Sequence, residues 1–334
     1  MIYDCFTFFN ELDLLEIRLN ILNEVVDKFV LVEATRTHRG NPKPLYFAEN
    51  KQRFAPFLDK IIHIVVDSYE PVEKYIASKD SDPMLHSWAY ENFQRHSIIR
   101  GLNDLTDEDT LIISDLDEIP TAEAVQRAAK ASSDGKVRLI QLDHRSYFLN
   151  FRNFSNPKWW LGPMVLSGKT FQEIATYKKV RATDGSIRAV LTLPSPQLIR
   201  AINPDLTIPH GGWHFSFLGG IEAIIHKLSA FSHSEYSKGK YTDSKYITET
   251  LANGGDLFGI GDRYYGSPPE KCLPAFILKN QGKYLNLIFQ TSPDYLKRTR
   301  IHKAKASIFH VIRTITPHWV KQIYFFLNSC RTRR

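Results

Sequence analysis

Four apolar runs, each separated from the next by a stretch of helical periodicity, constrain this chain more than any other feature. They are "IYDCFTFF" from Ile2, "KFVLVEA" from Lys28, "KIIHIVVD" from Lys60 and "DTLIISD" from Asp109. Between the first two, "NELDLLEIRLNILNEVV" sets Leu12, Leu15, Leu19 and Leu22 on one helix face. A loop rich in Pro and charge, "TRTHRGNPKPL", and a short helix around Phe47 to Phe57 precede the third run. "LHSWAYENFQRHSIIRGL" reads as a long helix before the fourth. Strands alternating with helices imply an α/β fold with a mixed, mostly parallel sheet and right-handed crossovers. Ligands bind such sheets beyond the carboxyl ends of the strands.

At that end of the fourth run the chain reads "DLDEIP" and places Asp115, Asp117 and Glu118 together. Two carboxylates one residue apart converge on a single cation once the strand turns. As hard oxygen ligands they suit magnesium or manganese, with positions left for phosphate and water. The plainer reading is a helix cap, with Asp117 or Glu118 accepting from the helix that starts near Thr121. Phosphatases of the haloacid-dehalogenase type use D-x-D-x-T or D-x-D-x-V on a first strand, whereas here Ile119 follows and the strand is the fourth. Sugar transfer from a nucleotide-sugar, in which D-x-D faces the diphosphate, fits better.

The second half is different in texture. After "AEAVQRAAK", a surface helix, the segments "VRLIQLDHRSYFLNFRNF" and "KWWLGPMVLSG" are rich in β-branched and aromatic residues. "GIEAIIHKLSAFSH" is a further helix, and Tyr241 to Asn280 reads as loop. With 43% hydrophobic and 24% charged residues the composition is that of a globular protein. Three distant cysteines outline neither a disulfide framework nor a zinc site. Net charge is +7, but Tyr295 to Arg334 holds ten Lys and Arg and no acid, which leaves 33 basic and 36 acidic residues elsewhere. The basic excess therefore belongs to an appendage and not to a nucleic-acid-binding domain. A division follows: residues 1–265 as the catalytic domain and 266–334 as a basic, partly helical extension.

Read together, "YDCFTFFNELDLLEIRLN", "DKFVLVEAT", "WAYENFQRHSIIRGL", "LIISDLDEIP" and "GGWHFSFLGG" resemble glycosyltransferase family 17, in the same order from Ile2 to about Tyr236. The resemblance implies a GT-A-like fold, a UDP-GlcNAc donor, a divalent metal, a glycan acceptor, suspected β-1,4-linkage, and inversion at the anomeric carbon. It implies that Asp115 and Asp117 serve metal and diphosphate, and that His214 of "GGWHFS" completes the metal site. The alternative for His214 is a structural histidine packed among aromatic rings. Animal members carry an N-terminal membrane anchor, whereas this chain opens on its first strand, so a cytoplasmic location is expected.

Within such a fold the first strand ends hold the nucleotide. Asn10 and Glu11 after the first strand, and Glu33 and Thr35 closing the second, are candidates to bind uracil or ribose. Helix capping by Asn10 and Glu11 is the competing reading. Glu91 and Arg95 are spaced for an i,i+4 salt bridge, and Arg95 is also placed to reach the diphosphate. An inverting transfer needs a base, for which Glu222, Glu235 and Asp143 are candidates. Trp159, Trp160 and Trp213 offer flat faces for sugar rings or simply fill the core. A carbohydrate-binding protein with a silent GT-A fold is the rival reading. Finally, "HWVKQIYFFLNSCRTRR" has the pattern of an interfacial helix, which would bring the protein to anionic lipid and to a lipid-linked acceptor. A helix docked on the domain is the other possibility.

Overall fold

The computed structural model describes residues 1–79, 81–153, 160–175, 179–181, 187–189, 196–259 and 262–290. The basic tail and Trp159 lie outside the described residues. The first four strands are β1 (Ile2–Phe8), β2 (Lys28–Ala34), β3 (Ile61–Val66) and β4 (Thr110–Asp115). They lie side by side in the order β4-β1-β2-β3, all parallel. Chain order runs from β1 outward to β3 and then returns to the far side of β1. The strand order thus reverses between β1 and β4, and a crevice opens at their carboxyl ends.

Beyond β4 the sheet becomes mixed. Its further strands are β5 (Glu118–Pro120), β6 (Arg138–Ser146), β7 (Phe151–Asn153) and β8 (Trp160–Ser167). A separate hairpin pairs β9 (Lys179–Arg181) with β10 (Ile187–Ala189). The last three are β11 (Leu206–Ile208), β12 (Gly212–Ser216) and β13 (Tyr264–Gly266). β8 runs antiparallel to both β4 and β6, while β12 joins β6 in parallel and β5 in antiparallel. The expected α/β class is therefore found, as a mixed 11-stranded sheet with an all-parallel block of four N-terminal strands and further parallel pairing of β11 and β12 to β6.

Both faces of the parallel portion are covered, which is why its strands read as continuous apolar runs. Phe6, Phe8, Phe29 and Leu31 point to one side, where α1 (Leu12–Leu22) buries Leu15, Leu19 and Leu22 against them. Tyr3, Cys5, Val30 and Val32 point to the other, toward Tyr90 on α4 (His86–His96); α2 (Tyr46–Glu49) and α3 (Glu70–Ile76) come between. The remaining helices are α5 (Ala122–Lys130), α6 (Gly168–Ala175), α7 (Pro196–Ala201), α8 (Gly220–Ala230), α9 (Ser244–Ala252) and α10 (Ala275–Lys279). Leu273, Ile277 and Tyr284 join the α1 side of the core, so that core does not stop at residue 265.

One expectation needs correction. The stretch from Tyr241, read as loop, contains α9 with Ile247 and Leu251 buried, Asp243 capping the Tyr246 amide, and Gly254 leaving the helix at positive φ. Only one pair of apolar residues at i,i+4 marks its inner face, too little periodicity to identify a helix from sequence. Among the described residues, no helix is long and apolar enough to cross a membrane.

The deepest polar feature is Arg18 on α1, fully buried. Its Nε and Nη2 donate to the two Asp4 oxygens at 2.8 and 2.6 Å, and Nη2 also donates to Ser114 Oγ at 2.6 Å. Nη1 donates to the carbonyls of Asp115, Leu116 and Glu118 at 3.0, 3.1 and 2.9 Å. A single guanidinium thus satisfies a buried carboxylate in β1 and the backbone of the acidic turn after β4. Replacing Arg18 with Met strands the Asp4 charge and three carbonyls, and should cost about 3–5 kcal/mol, read as the shift in a urea unfolding curve. Arg18→Lys should recover little of it, because an ammonium has no planar fork to reach both sides.

Candidate active site

The turn from Asp115 to Glu118 is short because β5 begins at once and pairs with β12. Pro120 lies opposite Gly212, Ile119 opposite Trp213 and Glu118 opposite His214. Gly212 is required there: a Cβ would sit 2.2 Å from the Ile119 carbonyl oxygen. Thr121 caps α5 through its own hydroxyl, accepting from the Ala124 amide at 3.1 Å. The acids are therefore not spent on capping that helix.

Glu118 turns inward and is fully buried. It accepts from Trp160 Nε1 at 2.7 Å and from the Asp115 amide at 3.0 Å, and it is bridged by the Arg200 guanidinium. Asp115 and Asp117 turn outward and line a cavity of ≈ 320 Å³ at the β1/β4 crevice. Asp115 is gripped from two sides, by Arg95 at 2.6 Å and Arg200 at 3.2 Å. Asp117 receives Lys227 of α8 at 2.9 Å and lies 3.5 Å from His214 Nε2. Lys227 also meets Glu11 at 3.2 Å. Burial pushes the Asp115 carboxyl up, but Arg95 and Arg200 outweigh it and leave it at about 2. Burial opposes Asp117 ionisation too, and Lys227 with His214 holds its carboxyl well below the ordinary range.

His214 takes the structural reading, packed among aromatic rings. Its ring stacks on Trp160 (4.1 Å between centroids) and on His144 (5.0 Å), and its edge faces Asp117. Burial and the neighbouring His214 drive His144 down to about 3, so that ring is neutral. Nε2 of His214 lies 2.9 Å from Ser216 Oγ, while Nδ1 is buried without a hydrogen-bond partner. The divalent cation expected at Asp115, Asp117 and His214 meets carboxylates already held by guanidinium and ammonium groups. Among the described residues no three His, Cys, Asp or Glu side chains converge as metal ligands. The arrangement does not fit a cage of three protein ligands. The countercharge on the acids is the chain's own, from Arg95, Arg200 and Lys227.

Of the other expected residues, Glu11 and Arg95 line the cavity. Arg95 forms the i,i+4 pair with Glu91 at 3.1 Å on its own helix and also meets Asp115. Asn10 is not part of the lining and contacts His226 Nδ1 at 3.1 Å. Glu33, expected at the mouth of the sheet, is instead fully buried; it accepts from the amides of Phe47 (2.7 Å) and Ala48 (3.2 Å) and pairs with His63. It caps α2 because the chain folds back over the end of β2. Thr35 bonds the Val66 carbonyl and yields its place in the cavity to Arg36, Thr37 and His38.

The candidate bases are not in the cavity either. Asp143 is held by Arg145 and Arg152 at 2.7 and 3.0 Å. Glu222 is exposed on the first turn of α8, and Glu235 is exposed and paired with His233. Trp213 packs against the core, whereas Trp160 lines the cavity. Sequence reasoning missed Arg200, Lys227, His38 and Trp88. Lys227 had one available signal, a cation in the last turn of a helix rich in Ile, Leu and Ala.

These features can be set beside known proteins. Residues 1–190 match the model of glycosyltransferase family 17. The chain belongs to that family. It is similar to the β-1,4-mannosyl-glycoprotein 4-β-N-acetylglucosaminyltransferase of Rattus norvegicus, 24% identical over 298 residues, which cover 84% of this chain and 53% of that protein. The chain thus spans about half the length of the curated relatives it matches. Among solved structures, a mannose-6-phosphate isomerase from Helicobacter pylori overlays with a TM-score of 0.34 at 10% identity, covering 62% of this chain and 96% of that one. S. aureus TarS 1-349 overlays with a TM-score of 0.32 at 10% identity, covering 75% and 72%. At those scores neither likeness bears on fold or function.

The depressed carboxyl of Asp115 has a consequence for stability. Its ion pairs contribute above the ordinary carboxyl value of 3.8 and are lost as pH falls through about 2. In urea titrations, wild type should exceed Asp115→Asn near neutral pH, and the gap should close as pH drops from about 4 to about 2.

Proposed function

We propose that this family 17 chain transfers N-acetylglucosamine from UDP-GlcNAc to a sugar hydroxyl of a glycan, with inversion and formation of a β-1,4 linkage. The observation that carries the reading is the cavity at the β1/β4 reversal, where Asp115 and Asp117 face cations from α4, α7 and α8. A nucleoside diphosphate is an anion that must be held and then released with its bonding electrons. Lys227, Arg95, Arg36 and Lys43 line the same space and supply positive charge for that departure. The acids keep Lys227 ionised and aimed: burial lowers its pKa, but Asp117 and Glu11 overcome this and raise it above its ordinary value. Trp160, stacked on His214 beside the acids, offers an apolar face for a pyranose ring.

The deciding assay is release of UDP from UDP-GlcNAc in the presence of a glycan with terminal mannose. Asp117→Asn leaves Lys227 with Glu11 as its remaining carboxylate partner among the described residues and should lower kcat/KM about 10²-fold in a variant that still folds, as read by circular dichroism. Near wild-type turnover in that variant would remove the acidic turn from the mechanism. The metal implied by the family resemblance is read from the same assay. A rate that rises with manganese would mean that diphosphate oxygens complete the ligand set the two carboxylates begin.

Donor choice is tested by binding alone. Calorimetric titration of the full chain with UDP, GDP and CMP should rank UDP tightest, on the strength of the family membership. Tighter binding of GDP would overturn the donor assignment and leave the cavity as a site for another nucleotide-sugar.

A further inference from the structure

If the reaction inverts, something in the cavity must take the acceptor proton, and the carboxylates nearest the donor are poor at it. Asp115 and Asp117 are held far below neutral by Arg95, Arg200, Lys227 and His214, and Glu11 is tied to Lys227. A general base works best with a pKa near the operating pH. Another part of the cavity lining has a different chemistry. There His38, in the loop after β2, stands beside Glu91 of α4, with Trp88, Phe231 and His233 along the same rim.

We propose that His38 is the base that deprotonates the acceptor hydroxyl, held in its working tautomer by Ser232 and, through that hydroxyl, by Glu91; this rests on the glycosyl-transfer reading above. Glu91 is itself fixed, by Arg95 at 3.1 Å and by the Ser232 hydroxyl. One of its oxygens lies 3.7 Å from His38 Nδ1, and Ser232 Oγ lies 3.5 Å from the same nitrogen. Ser232 gives its own proton to Glu91 and is left to accept from Nδ1, which keeps the imidazole proton there and leaves the lone pair on Nε2. The charged groups acting on His38 are Glu91 and Arg95 from α4, Asp115 from the end of β4, and Glu11 after β1. Burial dominates them and lowers the imidazole below 6.5, so the ring is neutral and able to accept at pH 7.

In the step, Nε2 takes the proton of the acceptor O–H and the oxygen forms its bond to the anomeric carbon from the face opposite the diphosphate. The bond from that carbon to the diphosphate oxygen breaks, and its electron pair leaves with the UDP. The imidazolium then returns the proton to solvent. Two other histidines line the cavity and are less suited. His214 is stacked and turned toward Asp117, and His233 is half exposed with Nδ1 bound to Glu235 at 2.9 Å.

The test uses the full chain with UDP-GlcNAc and acceptor. His38→Gln should lower kcat about 10²–10³-fold, leave the donor KM and calorimetric UDP affinity within about twofold, and abolish the rise of kcat/KM with pH through a value below 6.5. Glu91→Gln should move that rise to lower pH, since the Glu91 charge favours the imidazolium. Imidazole added to His38→Ala should restore turnover, which guards against a variant that merely misfolds. His38→Gln turning over at wild-type rate with the limb intact, or His233→Gln losing the limb instead, would overturn the assignment and leave transfer standing. Failure of the wild type to release UDP from any nucleotide-sugar would sink the transfer reading itself, and the base with it.

Discussion

Everything at the functional end of this sheet depends on one buried guanidinium. Arg18 has no exposure to water, and it meets its obligations by joining Asp4 in the first strand to three carbonyls of the turn after the fourth. A charged group is costly to bury unless its donors are matched, and here each nitrogen has a partner. The result is a turn whose backbone is fixed from beneath, so that alternate carboxylates are forced apart. Asp115 and Asp117 emerge into the cavity and Glu118 is directed into the protein.

That separation explains how so much negative charge coexists in a small space. Glu118 is neutralised inside by Arg200 and hydrogen-bonded by Trp160, and Arg200 reaches on to Asp115. Asp115 is shared with Arg95, which is shared in turn with Glu91. Asp117 is shared with Lys227, which also serves Glu11. The cavity is therefore an alternating lattice of charge, fixed by α4, α7 and α8 rather than by loops alone. A ligand that engages one member redistributes charge among the rest, because these groups are buried and weakly screened.

The fold was readable where the information is local. The strands β1 to β4 and the helix α1 announce themselves through runs of Ile, Leu, Val and Phe at the proper period, and the D-x-D turn through its position after β4. The partners of that turn were not readable. Arg200 lies 85 residues from Asp115 and Lys227 lies 110 from Asp117, and nothing in either segment names its destination. Glu33 shows the converse failure: a carboxylate at a strand end looks solvent-facing until the next loop folds over it. His38 was hidden in a charge-rich loop, where its neighbour on α4 lies more than fifty residues away.

The long separation between the acids and their cations has a temporal side. On the ribosome Asp117 is made about 5–20 s before Lys227, at ordinary elongation rates. During that interval the parallel strands and Arg18 are already available to close around the turn, while Asp115 and Asp117 still lack their later partners. This order of synthesis leaves Asp117 without its Lys227 cation and Asp115 with Arg95 but not yet Arg200. It also delays competence: the pocket forms only when β12 has slotted between β5 and β6 and α8 has docked behind it. Synthesis order alone thus keeps a half-made chain silent.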